Sequence, residues 1–401
     1  MTIRAITIVG FASILLVGAL APRAASAQEV PAVLIERHLR DSGHANTTFE
    51  RQEDTLFVTF ENRLFRDEAA GLAEVGTRIA EFAVPQQTLR VTSRIRGMAM
   101  VETDLDLHAC RDMSMQNRTL WACAGAQRVN GFAPRSGFGW TQPVVDITFH
   151  PFYQVPFGDF TQRDRARWGV APEIGVTLWT GMRLSAQMEI VVKEAAIYRT
   201  QTFQPGRITL SQWLRTPGDV WLAIGGGRFS ENRYGVHGHA VRYFFGGRLG
   251  LHAEAGQTGL AQMRDGTLFY TGLERAVYSG GVEYISRPLG LSVKASAGQY
   301  LWGDDGVRLD VRKALGPVQF ALYGVSTSID QTFGATLHIP LFPTRYVSQG
   351  PLRVAPARYM TIDYRNQVAG GAGTSYRTGY GLDFFEQHLH PFVIEQQLRG
   401  H

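Results

Sequence analysis

The chain has 401 residues, with 44 glycines, 11% aromatic and 19% charged residues, and a formal net charge of +5. That charge is spread along the chain without a basic run, which speaks against a nucleic-acid partner. Mean hydropathy is near zero, at −0.11. This excludes a bundle of membrane-spanning helices but not an outer-membrane barrel, whose alternating apolar and polar residues cancel in any average.

Residues 1–27 have the plan of a Sec signal peptide. Arg4 supplies the positive start, Ile6 to Leu20 the apolar stretch, and Ala25-Ser26-Ala27 a small-residue cleavage site before Gln28. The mature chain is therefore expected to be exported. No other window reaches the roughly 18 apolar residues that a spanning helix needs. In an exported chain the two cysteines, Cys110 and Cys123, form an even, close pair and are expected to be joined as a disulfide. Closing that loop is worth on the order of 3 kcal/mol in chain-entropy terms.

Pro31 to Ser42 reads as a helix with Val33, Leu34 and Leu39 on one stripe, stopped by Gly43. Strands follow around Thr47–Arg51 and Thr55–Glu61, then a helix over Glu68–Phe82 ending before Pro85, then a strand-like run from Thr88 to Val101. This αββαβ order predicts a small periplasmic α+β domain over residues 28–101. Residues 102–142 read as an irregular linker or subdomain that carries the cysteine pair.

Residues 143–342 read as one short strand after another, separated by Gly, Asp and Pro turns. The alternation is cleanest where Leu249, Leu251, Ala253 and Ala255 oppose Gly250, His252, Glu254 and Gly256, and where Val307, Leu309 and Val311 oppose Arg308, Asp310 and Arg312. Residues 343–401 form an extension with weaker patterning and one more strand-like run, Gly381 to Leu398. A soluble sandwich would show the same local alternation. The exported start, the number of consecutive strands, and aromatics near strand ends favour a membrane barrel. Those aromatics are Trp221, Tyr243, Phe244, Phe245, Tyr270, Tyr300 and Trp302, expected to form interfacial girdles. The expected fold is thus mainly β: an outer-membrane antiparallel β-barrel of roughly 12–16 strands behind a small periplasmic α+β domain. The lumen-lining residues on this reading are His252, Glu254, Lys294, Arg308, Asp310, Arg312 and His338.

No nucleophile elbow, phosphate-binding loop, zinc-protease motif or dinucleotide fingerprint is present in the sequence. Gly225-Gly226-Gly227 lacks the lysine of a phosphate loop and reads as a strand-end kink. His237 with His239, and His388 with His390, could pair on a metal, but neither pair has a third ligand nearby in sequence, and no metal or other cofactor is expected. Asp304-Asp305 could be the acid and base of a glycan hydrolase; the turn chemistry of Asp-Gly explains them more simply. Glu61-Asn62-Arg63 reads as a turn with a helix cap or as a docking point for another secretion component. The protein is expected not to be an enzyme; the alternative is an exported carbohydrate-active enzyme or a glycan-binding β-sandwich.

Two stretches carry a family resemblance. TLFVTFENRLFRDEAAGLAEV (Thr55–Val75) looks like the N-terminal L-x-V-x-x-E-N-x-x-Y-R segment of exopolysaccharide biosynthesis and export proteins of the YjbH/GfcD type. GGGRFSENRYGVHGHAVRYFFGGRLGLHAEAGQTG (Gly225–Gly259) and the run from Ala297 to Leu341, with its G-x-Y-L-x-G-D-x-G-V-x-L-x-V-x-R pattern and closing I-P-L, are similar to the same family. The resemblance implies an outer-membrane barrel with a periplasmic module, acting with other secretion proteins to pass an extracellular polysaccharide. The relatives carry a further barrel-like half, so a single barrel, a partial barrel and a shared pore all stay open here.

Overall fold

The computed structural model describes residues 32–82, 88–108, 110, 127–154, 167–193, 203–264, 267–365 and 373–399. The expected signal peptide and Cys123 lie outside them. Cys110 is buried and disulfide-bonded, and Cys123 is the chain's one other cysteine.

The N-terminal unit is a five-stranded mixed sheet with two helices. Its elements are α1 (Ala32–Asp41), β1 (Ala45–Gln52), β2 (Thr55–Glu61), α2 (Glu68–Ala80), β3 (Thr88–Ile95), β4 (Met98–Asp106) and β5 (Gln127–Phe132), with the strands in sequence order. β2 and β3 pair in parallel through the α2 crossover and the other neighbours are antiparallel. In α1 the buried side chains are Ile35 and Leu39, while Val33 and Leu34 are exposed, so of the stripe named from sequence only Leu39 faces inward. Nearly all of α2 is buried, which its Ala- and Gly-rich sequence permits, because it is covered on more than one side.

The run Thr88–Val101 is two strands rather than one. The chain reverses at Arg96-Gly97, both with positive φ (51° and 73°), the backbone of a tight hairpin turn. β4 and β5 then extend the small sheet into the stretch expected to be irregular.

The second unit is a 16-stranded sheet. Its long antiparallel members are β6 (Trp140–Gln154), β7 (Arg167–Trp179), β8 (Met182–Lys193), β9 (Phe203–Arg215), β10 (Val220–Arg228), β11 (Arg233–Phe244), β12 (Leu249–Arg264), β14 (Arg275–Ser286), β15 (Leu291–Gln299), β16 (Asp305–Leu315), β17 (Val318–Thr327) and β18 (Gln331–Pro340). The short β13 (Thr267–Tyr270) pairs with β12, and β19 (Val347–Gln349), β20 (Leu352–Pro356) and β21 (Tyr359–Arg365) complete the sheet. Against the expectation of a purely antiparallel sheet, β20 runs parallel to β6. Two residues later β21 pairs antiparallel with β18, at the opposite end of the strand order. Between them the Ala357 N–H donates to Phe149 O of β6 (2.8 Å), and Arg358 O accepts from the Leu341 N–H just past β18 (3.1 Å). One segment thus touches both flanks of a single continuous sheet, which is not the two packed sheets of a sandwich.

The last described stretch is helical. Gly381–Leu398, read as a strand, forms α3 (Asp383–His388) and α4 (Pro391–Arg399). Residues 373–399 lie along the inner face of the large sheet. At one end Asp304 Oδ2 accepts from the Gly373 N–H (2.7 Å) and Thr374 O from the Leu301 N–H (3.0 Å). Midway, Trp213 Nε1 donates to Tyr380 O (2.6 Å) and Phe385 stacks on Trp221 at 4.9 Å. At the other end Arg287 pairs with Glu395 (2.9 Å). Trp221, Tyr243 and Tyr300, named above as girdle residues, therefore point inward, Trp221 and Tyr300 buried and Tyr243 half-buried, whereas Phe245, Tyr270 and Trp302 are exposed. A strand-end aromatic can take either face, and here the inner face has its own filling to pack against.

The small unit caps the end of the sheet where strands join by short turns. Gly181, in the turn between β7 and β8, donates its N–H to Arg96 O (2.7 Å). Its φ is +80°, and a Cβ would meet Trp213 O at 2.1 Å, so only glycine fits there. Beside it Arg215 donates to Ala133 O (2.5 Å), and Phe132 packs on Tyr243 and Phe385. A single hydrophobic core runs from Leu39 and Phe60 in the small unit through Trp213 and Trp221 to Leu389 and Ile394.

Candidate functional site

The small unit, the first strands of the large sheet and the C-terminal segment together enclose a polar cavity of about 170 Å³. β2 delivers its first residues. Glu61 at the end of the strand accepts from Asn46 Nδ2 (2.6 Å) and from the N–H groups of Arg96 (3.0 Å) and Gly97 (3.1 Å). Those two bonds satisfy the hairpin's backbone donors and hold Arg96 in its left-handed conformation, a cost of about 1–3 kcal/mol that the surroundings must offset. The Arg96 side chain is thereby aimed across the cap, with its guanidinium 4.3 Å above the Trp213 ring.

Asn62 makes the local turn. Its Oδ1 accepts from the Phe65 N–H (3.0 Å), and its Nδ2 donates to Phe65 O, Asp67 O and Glu68 Oε2. Arg63 does the docking, within its own chain. It donates to Asp146 Oδ1 (3.1 Å), Val145 O (3.2 Å), Gly350 O (3.0 Å) and Pro351 O (3.0 Å), so four acceptors on β6 and the β19–β20 turn meet one buried guanidinium. Of the readings of Glu61-Asn62-Arg63, the turn is present at Asn62; the helix that follows has Asp67 as its N-cap with no side-chain cap bond, and the docking that Arg63 performs is to its own chain rather than to another component.

Asp146 is the hub of the cavity wall. Arg63, Arg183 (3.3 Å) and Arg353 (2.9 Å) all reach it, and Arg183 continues to Glu173 (3.0 Å), which also meets His150 at 3.4 Å. Arg94, Arg96, Arg207, Arg358 and Glu68 complete the charged lining. Burial pushes the Glu68 carboxyl up to about 7, Arg358 and Asn62 pulling the other way. Burial likewise pushes the Arg96 guanidinium down to about 9, so it remains charged at neutral pH.

A second cluster lies further along the inner face, where α3 meets the strands. His252 sits between two carboxylates, with Nδ1 3.2 Å from Glu386 and Nε2 3.4 Å from Glu283, and Lys294 stands 3.9 Å from the far oxygen of Glu386. Burial alone would raise the Glu386 carboxyl, but Lys294 and His252 hold it well below the usual carboxylate range. His239, His252 and Glu386 bring one possible metal-ligand atom each within 4.8 Å of one another. The Leu382 N–H, however, donates to His239 Nδ1 (3.2 Å). That tautomer carries its proton on Nε2, so the ring has no free lone pair to give a metal, and the cluster fits a charge lock between helix and wall.

The seven residues read as lumen-lining fall on this inner face by strand register. His252 and Lys294 meet Glu386, and Glu254 lies 3.7 Å from His239. Arg308 forks onto Asp310 (2.7 and 2.8 Å) and stacks 4.3 Å over Tyr323. His338 Nδ1 meets Thr361 Oγ1 (2.9 Å), and Arg312 borders a small crevice beside Glu386 and His390. Asp304 is buried and holds Gly373, while Asp305 opens β16, so they do not face a cleft as an acid pair. Sequence reasoning missed Asp146, Arg96 and Glu386. The first two sit among ordinary strand and turn patterns, and the third was assigned to a strand.

Comparison with known proteins adds one result. No curated protein matches the chain. A family model described as exopolysaccharide biosynthesis protein YbjH matches residues 17–332, which is most of its length. The chain belongs to the YjbH family of exopolysaccharide biosynthesis proteins.

Proposed function

We propose that the protein is an outer-membrane β-barrel that helps an exopolysaccharide leave the cell, with its small unit on the periplasmic side and no covalent chemistry of its own. The observation that carries this reading is the outer face of the large sheet. Ile174, Leu184, Met188, Ile208, Leu210, Ile224, Leu251, Val282, Val307, Leu309 and Leu322 are all exposed there, far more apolar surface than a protein in water leaves bare. Exposed aromatics flank that belt at both ends: Tyr153, Trp168, Phe203, Tyr278 and Phe333 toward the longer loops, Trp140, Tyr284 and Phe320 toward the short turns. A lipid-facing barrel has this arrangement.

Further support comes from strand length and connection length. The long strands have 9 to 16 residues, enough to cross the hydrocarbon core when tilted. The turns that join neighbouring long strands on the capped side have at most four residues, and the longest connections, residues 155–166 and 194–202, lie opposite, as in barrels whose short turns face the periplasm. The segment Leu352–Arg365 joins β6 to β18 in this reading and closes the wall. Thirteen strands then form the ring, an odd number, which is why the closing pair at β6 runs parallel. The inner face is filled by residues 373–399, so the barrel is plugged as it stands, and glycan passage requires that segment to move. The partners are the polysaccharide, outer-membrane lipid and other periplasmic secretion proteins.

The test is a chromosomal deletion with complementation, followed by membrane fractionation and polysaccharide assay. The expected result is protein in the outer-membrane fraction, with polymer lost from the medium in the deletion strain. Recovery of the protein as a soluble periplasmic species would overturn the reading.

A further inference from the structure

The enclosed cavity holds more positive charge than its own acids answer. Arg63, Arg183 and Arg353 spend themselves on Asp146, and Arg183 also on Glu173. Of the four other arginines on the same cavity, Arg207 donates to Gln187 Oε1 (3.3 Å) and three keep a guanidinium nitrogen with no acceptor. Arg94 Nε, Arg96 Nη1 and Arg358 Nη1 are each buried without a hydrogen-bond partner. Glu61 lends its charge to Arg94 and Arg96 but gives its hydrogen bonds to Asn46 and two backbone N–H groups, and burial keeps Glu68 partly protonated near neutrality, so the arginines of the cavity outnumber its ionised acids.

A buried guanidinium nitrogen without an acceptor is costly, and Arg96 is held there by a backbone conformation that is itself strained. Water could fill the space, since about 170 Å³ has room for roughly five molecules at ~30 Å³ each. Water, however, brings no negative charge to match the cavity's excess of arginines over ionised acids.

We propose that this cavity is an anion site, built to hold one carboxylate- or phosphate-bearing group between the small unit and the sheet wall, with Arg96 and Arg358 as its principal ligands. Planar guanidinium forks suit both anions. The group could arrive as a free ion or as the acidic end of a sugar residue; the cavity is too small for a polymer. The inference does not depend on the membrane reading, since every residue it uses faces the interior.

The experiment uses the whole mature protein in a non-ionic detergent and phosphate-free buffer. Thermal unfolding and calorimetric titration are run with inorganic phosphate, with glucuronate, and with glucose as the uncharged control. The expected result is saturable stabilisation by phosphate or glucuronate and none by glucose; whichever anion acts tells phosphate from acidic-sugar chemistry. Arg96→Gln and Arg358→Gln should each weaken that binding about tenfold or more. In anion-free buffer each variant should still fold cooperatively, with only a small drop in melting temperature from the lost contacts to Trp213 and Phe384. No stabilisation by either anion would overturn the proposal. So would binding that persists undiminished in either folded variant, and the parent titration decides the matter even if one variant fails to fold.

Discussion

Arg63 shows how one side chain can join two units. Its guanidinium serves four acceptors that belong to β6 and to the β19–β20 turn, and planar fork geometry is what lets a single residue do so. Arg63→Ala should lower stability by roughly 3 kcal/mol, the lower end for breaking a buried pair, because Arg183 and Arg353 still hold Asp146. Arg63→Lys should recover little, and denaturant midpoints of the three proteins check both statements. Histidines set a pH response at the same scale. Burial pushes His44 down to about 3 and His390 down to about 4, from an ordinary value of 6.5. The unfolded chain then takes up protons first as the medium is acidified. Stability from these groups is complete above about pH 6.5 and falls as pH drops toward about 4. His390→Gln should flatten that slope in melting temperatures measured from pH 7 to 4.5, and an unchanged slope would contradict the assignment.

At the scale of elements, the legible parts were those with a strong period. The strands at Leu249–Ala255 and Val307–Val311 were evident because one face is apolar and the other polar, and the structure buries or exposes them accordingly. α3 and α4 were not, because six and nine residues give too little of a 3.6-residue repeat to see, and both are buried on several sides. The Arg96-Gly97 hairpin was hidden for another reason: arginine is an unusual occupant of a left-handed turn, and it is tolerated here because a distant Glu61 takes its backbone donor. Truncation after residue 372 tests the role of the C-terminal segment. It removes Glu386, Tyr380 and Phe385 from the inner face and should convert a non-conducting protein in planar bilayers into one with stepwise ion conductance. A truncated protein that folds but stays closed would mean the interior is shut by something else.

The whole molecule is a filled, capped sheet with its chemistry inside and its grease outside. Local alternation could not reveal this, because it says which residues share a face but not what either face meets. The filling came from the far end of the chain and the cap from its beginning, contacts of long sequence separation that leave no local trace. The central claim is that the exposed apolar face meets lipid. Spin labels on single cysteines at Val307, Arg308, Leu309 and Asp310 of β16 test it most directly, with the protein in lipid vesicles and the native cysteines left as they are. Oxygen, which concentrates in lipid, should reach labels at Val307 and Leu309, while those at Arg308 and Asp310 should be shielded from it. Equal access to a water-soluble nickel reagent at all four positions would contradict the account.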